Sequence, residues 1–173
     1  TYTVVGLKDD LTRIENTVNT LSKNIQEISN EKLRLAREVI YQIACSQKKQ
    51  NEIKKKSVFM IAGDVIYNMA HKEPRPESST GKMVKGSDLD IIIITNDLHE
   101  NIVRELDDSI YNYKYSLLRN PAYMEEIDYI IKDLKKEVIC ISGLISNDIE
   151  EYKGIPVISY RDIDKIIEII EKL

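Results

Sequence analysis

Cysteine, histidine and long apolar runs are scarce in this chain of 173 residues, and each scarcity argues against a class of protein. The two cysteines, Cys45 and Cys140, stand in apolar surroundings and are expected to be reduced core residues, which favours a cytoplasmic location. His71 and His99 are isolated, so no cysteine–histidine metal motif is present. There is no apolar run of about 18 residues, so no membrane span is expected, and no signal-peptide pattern is visible.

The overall composition is that of an ordinary globular domain, with 42% hydrophobic and 31% charged residues. The net charge of −4 predicts no general attraction to nucleic acid or to a membrane surface. The length suits one domain with an appended helical element, which we expect at 57–173 and 1–56 respectively. The chain begins with Thr1, as expected of a processed protein or of a piece of a longer one.

The N-terminal segment carries an apolar stripe in alternating steps of four and three residues. Its members are Leu7, Leu11, Ile14, Val18, Leu21, Ile25 and Ile28. Such a heptad stripe is typical of a coiled coil that forms a homodimer or binds a partner protein. The alternative is one helix, or a helical hairpin with a second start near Ser29, packed on the sheet of the same chain.

A lysine-rich run, Lys48–Lys56, closes this helical segment. It could contact nucleic acid or a triphosphate. A solvated helix end is the favoured interpretation, because cations stabilise the C-terminus of a helix.

The remainder alternates apolar strand patterns with helical ones and predicts a mixed α+β fold, a small mixed sheet flanked by helices. The expected strands are 57–63, 89–95, 127–132, 138–143 and 155–160. The expected helices are a short one from Asp64, one from Asn96–Asp97 to about Leu118, and a terminal one from Arg161. Residues 68–85 predict a flexible surface loop, either a disordered insertion, which we favour, or a lid carrying Lys82 or Lys85.

The most informative motif is Gly86-Ser87-Asp88-Leu89-Asp90, which leads directly into four isoleucines. Four consecutive isoleucines predict a strand buried on both faces. Because side chains alternate along a strand, Asp88 and Asp90 should lie on the same side and can hold a hard cation through oxygen.

The order of these elements separates several Asp-x-Asp chemistries. In haloacid-dehalogenase-like phosphatases and in many glycosyltransferases the apolar strand precedes the motif, whereas here it follows Asp90. This order resembles the nucleotidyltransferase superfamily with the DNA polymerase beta-like fold. The resemblance covers about residues 57–133, and it implies Mg²⁺ or Mn²⁺ as cofactor and a nucleoside triphosphate such as ATP as substrate.

The resemblance also implies roles for further residues. An earlier strand should end in Gly-Ser to receive the triphosphate, and Gly63 matches while Asp64 replaces the serine. A third carboxylate should follow on a neighbouring strand, where Asp128 is the first candidate and Glu126 the second. Asp88, Asp90 and Asp128 would hold the metal and serve catalysis.

Three more residues or groups could take part in binding. Ser87 and Lys85 would join Gly63 and Asp64 in binding the cofactor. Five tyrosines, predicted mainly as amphipathic core-edge residues, could instead stack on a base. These are Tyr111, Tyr113, Tyr115, Tyr123 and Tyr129.

Two functions from different classes follow. The first is a metal-dependent nucleotidyltransferase that moves a nucleoside monophosphate to an acceptor. The second is an inactive nucleotide-binding or scaffold module that oligomerises through its N-terminal helices. A toxin-like transferase acting on RNA or protein is a third, supported only by the lysine run.

Overall fold

The computed structural model describes residues 5–133, 149–153 and 155–159. Its helices are α1 (Val5–Ser46), α2 (Gln50–Lys56) and α3 (Glu100–Arg119), and a 3-10 turn spans Gly63–Val65. Its strands are β1 (Ser57–Ala62), β2 (Pro74–Pro76), β3 (Met83–Lys85), β4 (Leu89–Thr95), β5 (Ile127–Asp133), β6 (Ile149–Tyr152) and β7 (Ile155–Ser159). The strand predicted at 138–143 and the terminal helix from Arg161 lie outside the described residues.

The main sheet is mixed, and its strand order is β5-β4-β1-β7-β6. Strand β4 runs antiparallel to β1 and parallel to β5, while β1 and β7 are parallel. The predicted mixed α+β class is therefore confirmed. The four isoleucines Ile91–Ile94 are all buried, as their uninterrupted apolar run predicts for a central strand.

One continuous helix of 42 residues, α1, occupies the N-terminal segment in place of a hairpin. Ser29 does not begin a second helix. Its hydroxyl donates to the Ile25 carbonyl at 2.8 Å and accepts from the Ala70 amide at 3.2 Å. The chain thus passes through Ser29 as helix and uses its hydroxyl to join α1 to the turn after β1.

The two halves of α1 have different surroundings. In the C-terminal half, Ala36, Val39, Ile40 and Ile43 are buried in the same core as the apolar side chains of β1 and β4. In the N-terminal half, four large apolar side chains are 54–56% exposed: Leu11, Ile14, Val18 and Leu21. The apolar stripe is therefore exposed to solvent in the N-terminal half of α1, whereas the apolar side chains of the C-terminal half pack in the core.

The predicted boundary between a helical segment, 1–56, and an α/β domain, 57–173, stays a prediction.

Residues 68–85 are structured, so the favoured prediction of a disordered insertion is wrong. Strands β2 and β3 pair as an antiparallel hairpin. Its turn is organised by the buried carboxylate of Glu77, which accepts from the Ser79 hydroxyl at 2.5 Å and the Thr80 amide at 2.7 Å. The prediction rested on the composition of the segment, which is typical of a loop. The hairpin instead depends on hydrogen bonds from the turn to the single buried carboxylate of Glu77.

Helix α3 begins three residues later than the predicted Asn96–Asp97 cap. His99 takes that role, and its ring nitrogen accepts from the Asn101 amide at 3.2 Å. No helix among the described residues is both long and apolar enough to span a membrane.

Candidate metal centre

Strand pairing brings three aspartates together at one end of the sheet. The parallel register places Asp90 of β4 beside Asp128 of β5, and Asp88 stands two residues before Asp90 on the same side. One carboxylate oxygen from each of the three lies within 4.8 Å of the others. The structure therefore assembles the same three carboxylates that the sequence singled out.

The oxygen cluster suits a hard divalent cation. Two oxygens on opposite sides of Mg²⁺ are about 4.2 Å apart, since each bond is about 2.1 Å. Neighbouring oxygens of the same octahedron are about 3 Å apart, so three oxygens within 4.8 Å of one another are close to the spacing that one cation needs. Carboxylate oxygens are the ligands that Mg²⁺ and Mn²⁺ prefer. Asp128 is exposed, whereas Asp88 and Asp90 are both half-buried.

The environment of Asp90 raises its pKa strongly. Burial is the main cause that raises the pKa of Asp90 to about 6, and the charges of Asp88, Asp128 and Asp64 raise it further. Arg75 opposes the shift. Like charges at short range disfavour ionisation, and a bound cation would reverse this effect.

The Gly63-Asp64 turn packs directly against the carboxylate of Asp90. Gly63 has a φ of +69°, and a Cβ at this position would lie 1.9 Å from Oδ2 of Asp90. Only glycine leaves room for Asp90 there. Asp64 accepts the Ser87 hydroxyl through Oδ2 at 2.9 Å, so it turns toward the Gly86 loop.

The Gly86 loop is held against the chain near His71. Gly86 has a φ of +74°, and a Cβ there would meet the His71 carbonyl oxygen at 1.8 Å. The Ser87 amide donates to that same carbonyl at 3.2 Å, and the His71 amide donates to the Ser87 hydroxyl at 3.3 Å. Ser87 is thus fully engaged in fixing the loop that carries Asp88.

A buried lysine of α1 binds the backbone of the same loop. Lys32 is 2% exposed, and its ammonium donates to the carbonyls of Lys85 (2.9 Å) and Ser87 (2.8 Å). It also pairs with Glu125 at 2.5 Å. Burial raises the pKa of Glu125, and Lys32 opposes that rise. Lys32 therefore ties α1, the Gly86 loop and the entrance of β5 together.

Arg75 from β2 completes the support of the loop. Its Nε donates to the Gly86 carbonyl at 2.8 Å, and Nη1 donates to Glu126 at 2.7 Å. Glu126, the second candidate for the third carboxylate, is buried in this ion pair. Burial raises the pKa of Glu126 and Arg75 opposes the shift.

The remaining predicted site residues lie elsewhere. The ammonium of Lys85 donates to the Ala122 carbonyl at 3.0 Å, and among the described residues it makes no hydrogen bond or ion pair with the triad. Tyr129 donates to Asp107 on α3 at 2.9 Å, so its hydroxyl is directed to that helix. Lys114, which the sequence did not suggest, lies 3.3 Å from Oδ1 of Asp128.

Comparison with known proteins gives no relative. No family model matches the chain, no curated protein matches it, and no solved structure matches it. Function must therefore be inferred from the site itself.

The sequence analysis missed the two cations that organise the site, Lys32 and Arg75. Lys32 lies near the end of a heptad stripe and looks like an ordinary polar helix position. Arg75 had one signal, its place between Pro74 and Pro76, since proline on either side favours extended backbone.

Replacing Lys32 by methionine should lower the free energy of unfolding by about 3–5 kcal/mol, because Glu125 would stay buried without its partner. Lys72→Met is the matched control. It removes an exposed lysine that is also paired at 2.5 Å, with Glu31, and should change the free energy of unfolding far less than Lys32→Met does. Urea unfolding followed by circular dichroism measures both, and equal losses in the two variants would contradict the assigned role of Lys32.

The raised pKa of Asp90 gives a pH-dependent prediction. Between pH 3.8, the ordinary pKa of an aspartate, and about pH 6, the metal-free folded state holds a proton that the unfolded state has lost, so stability falls as pH rises. Asp90→Asn should therefore stabilise the metal-free protein by on the order of 1 kcal/mol above pH 6, after allowance for solvent screening. The gain should vanish near pH 3.8. Thermal unfolding across this range checks it; a gain independent of pH would contradict it.

Proposed function

We propose that this protein is a metal-dependent nucleotidyltransferase that moves a nucleoside monophosphate from a nucleoside triphosphate to an acceptor. The observation that carries the proposal is the convergence of Asp88, Asp90 and Asp128 within 4.8 Å at the end of a mixed sheet. The order of turn, Asp-x-Asp and apolar strand supports it. Three carboxylates on paired strands form a rigid oxygen site suited to phosphate chemistry.

The metal would be Mg²⁺ or Mn²⁺, bound by Asp88, Asp90 and Asp128. Bound cations at such a site activate an attacking hydroxyl and neutralise the charge of the transferred phosphate. Asp90 binds as a carboxylate, so cation binding releases its proton at pH values below about 6. Lys32 and Arg75 hold the loop carbonyls, which keeps Asp88 in place while charge in the site changes.

Asp128 is the candidate for the proton acceptor. It is exposed, and Lys114 lies 3.3 Å from its Oδ1. In the proposed reaction an acceptor oxygen forms a bond to the α-phosphorus, and the bond to pyrophosphate breaks. The proton of the acceptor passes to Asp128, and pyrophosphate leaves with the bonding electrons. The lack of a side chain at Gly63 accommodates Asp90 itself, because a Cβ there would lie 1.9 Å from Oδ2 of Asp90.

Asp88→Asn and Asp90→Asn should each abolish incorporation of nucleotide and weaken Mn²⁺ binding by at least about tenfold, because each removes a charged ligand. Asp10→Asn is the matched control, since it makes the same substitution on the exposed part of α1. Incorporation from each of the four α-labelled triphosphates, and Mn²⁺ titration by electron paramagnetic resonance, measure the two effects. Activity retained in Asp90→Asn would refute the assignment.

A second candidate function, a scaffold that oligomerises through α1, has an observation of its own. Leu11, Ile14, Val18 and Leu21 keep the coiled-coil spacing and remain more than half exposed. Coiled-coil seams bury such side chains against another helix of the same pattern. The partner we propose is a second copy of this chain, because its own stripe supplies that pattern.

Ile14→Glu with Val18→Glu should convert the assembly into a monomer, because two charges per chain cannot be buried in the seam. Asn16→Glu is the control, since Asn16 is exposed and lies off the stripe. Light scattering coupled to size exclusion measures the mass. A wild-type chain that is monomeric at every concentration would rule out self-association.

The two functions are compatible, since they use different residues: the exposed stripe of α1 and the aspartate triad. Calorimetry with ATP, GTP, CTP and UTP in the presence of Mg²⁺ separates them. A dimer that binds none of the four would favour the scaffold alone. We also propose a cytoplasmic location, for which the scarcity of cysteine is the support.

A further inference from the structure

Arg75 lies at the edge of the aspartate triad on an element outside the main sheet. The hairpin of β2 and β3 carries it, and Pro74 and Pro76 flank it. Its side chain is 33% exposed. A cation on a hairpin outside the main sheet is therefore both close to the carboxylates and open to solvent.

Two of its three nitrogens are fixed by the protein. Nε donates to the Gly86 carbonyl at 2.8 Å, and Nη1 donates to the buried Glu126 at 2.7 Å. These bonds set the plane of the guanidinium. Nη2 lies 3.6 Å from Oδ2 of Asp88, beyond hydrogen-bond distance, and donates no hydrogen bond among the described residues. The plane thus presents an unused pair of N–H groups beside the triad.

The chemistry of those N–H groups points to an anion. Guanidinium groups bind phosphate oxygens with directed, charge-assisted hydrogen bonds. The turn at Gly63-Asp64, where a hydroxyl would have been expected, carries a carboxylate that is bonded to Ser87. A phosphate chain brought to the triad by a cation would therefore lack a donor at that turn and find one at Nη2 of Arg75.

We propose that Arg75 binds a phosphate oxygen of a metal-bound triphosphate, and that the β2–β3 hairpin serves to deliver it. This inference rests on the proposed function, because it takes a triphosphate as the ligand. Beyond the proposed function, this inference assigns phosphate binding to Arg75 of the hairpin and not to the Gly63-Asp64 turn after β1. Glu126 acts as a positioning residue that orients the guanidinium.

The competing explanation is that Arg75 only neutralises Glu126 and supports the Gly86 loop. The two explanations predict opposite effects of removing Arg75 on the affinity for a free metal ion. Nη2 places positive charge 3.6 Å from Asp88, so it opposes the binding of a free cation. A phosphate ligand needs that same charge. A purely structural arginine would instead affect metal and metal–phosphate binding in the same direction.

The test measures Mn²⁺ alone and Mn²⁺ with inorganic tripolyphosphate, by calorimetry, on the full chain. Arg75→Gln should bind free Mn²⁺ about two- to fivefold more tightly, because the local positive charge is gone. It should bind tripolyphosphate in the presence of saturating Mn²⁺ at least about tenfold more weakly, the effect of losing one charged hydrogen bond. Arg75→Lys keeps the positive charge but lacks the planar guanidinium with its paired N–H groups, so its two affinities should lie between those of the wild type and Arg75→Gln.

Two further variants guard against misfolding. Arg75→Gln leaves Glu126 buried without a partner, so Arg75→Gln with Glu126→Gln removes both members of the pair. The double variant should bind tripolyphosphate at least about tenfold more weakly, as the single variant does. Its affinity for free Mn²⁺ should change little, because the loss of the Glu126 charge offsets the loss of the Arg75 charge. Arg104→Gln, which removes an exposed arginine of α3, is the control and should leave both affinities unchanged.

Unchanged tripolyphosphate binding in the folded single or double variant would overturn the proposal, as would a parallel loss of Mn²⁺ and tripolyphosphate binding. Failure of the proposed function looks different. In that case the wild-type protein incorporates no nucleotide, while the opposite effects of Arg75→Gln on Mn²⁺ and on tripolyphosphate persist.

Discussion

The structure depends on a buried ammonium group, that of Lys32, which holds the backbone on either side of Gly86. It accounts for the carbonyls of Lys85 and Ser87 and for the carboxylate of Glu125. Arg75 holds the carbonyl between them, that of Gly86. Three consecutive carbonyl groups of one loop are thus directed at two cations. A loop fixed in this way can carry Asp88 into a cluster of like charges without moving away from it.

That rigidity explains how the protein tolerates the cluster. Asp90 is crowded by three other aspartates and is partly buried, so its proton is retained to about pH 6. Gly63 lets the chain pass beside the Asp90 carboxylate, where any side chain would collide with it. The metal-free site is therefore electrostatically strained yet sterically fixed. A divalent cation held by the three carboxylates would offset their like charges.

Sequence reasoning located the elements that follow local pattern and missed those that depend on distant partners. The isoleucine run identified β4, and period-two alternation placed Asp88 and Asp90 together. Asp128 could be proposed because the family resemblance implies a third carboxylate on a neighbouring strand, and the short apolar run of β5 contains this aspartate. Lys32 and Arg75 could not, because their main acceptors are backbone carbonyls 53 and 11 residues away. Backbone carbonyls have no signature in the sequence. The hairpin was missed for a different reason: the partners of Glu77 are local, at Ser79 and Thr80, but the composition of the segment indicates a loop.

Helix α1 runs without a break from the exposed stripe to Lys32. Leu21, the last strongly exposed residue of the stripe, and Lys32 are separated by about 16 Å along one helix, at about 1.5 Å per residue. No turn intervenes that could absorb a displacement. Any helix that packs on the stripe therefore bears on the same rigid rod whose lysine holds the Gly86 loop. The proposed association and the candidate metal site would therefore share α1 as a structural element.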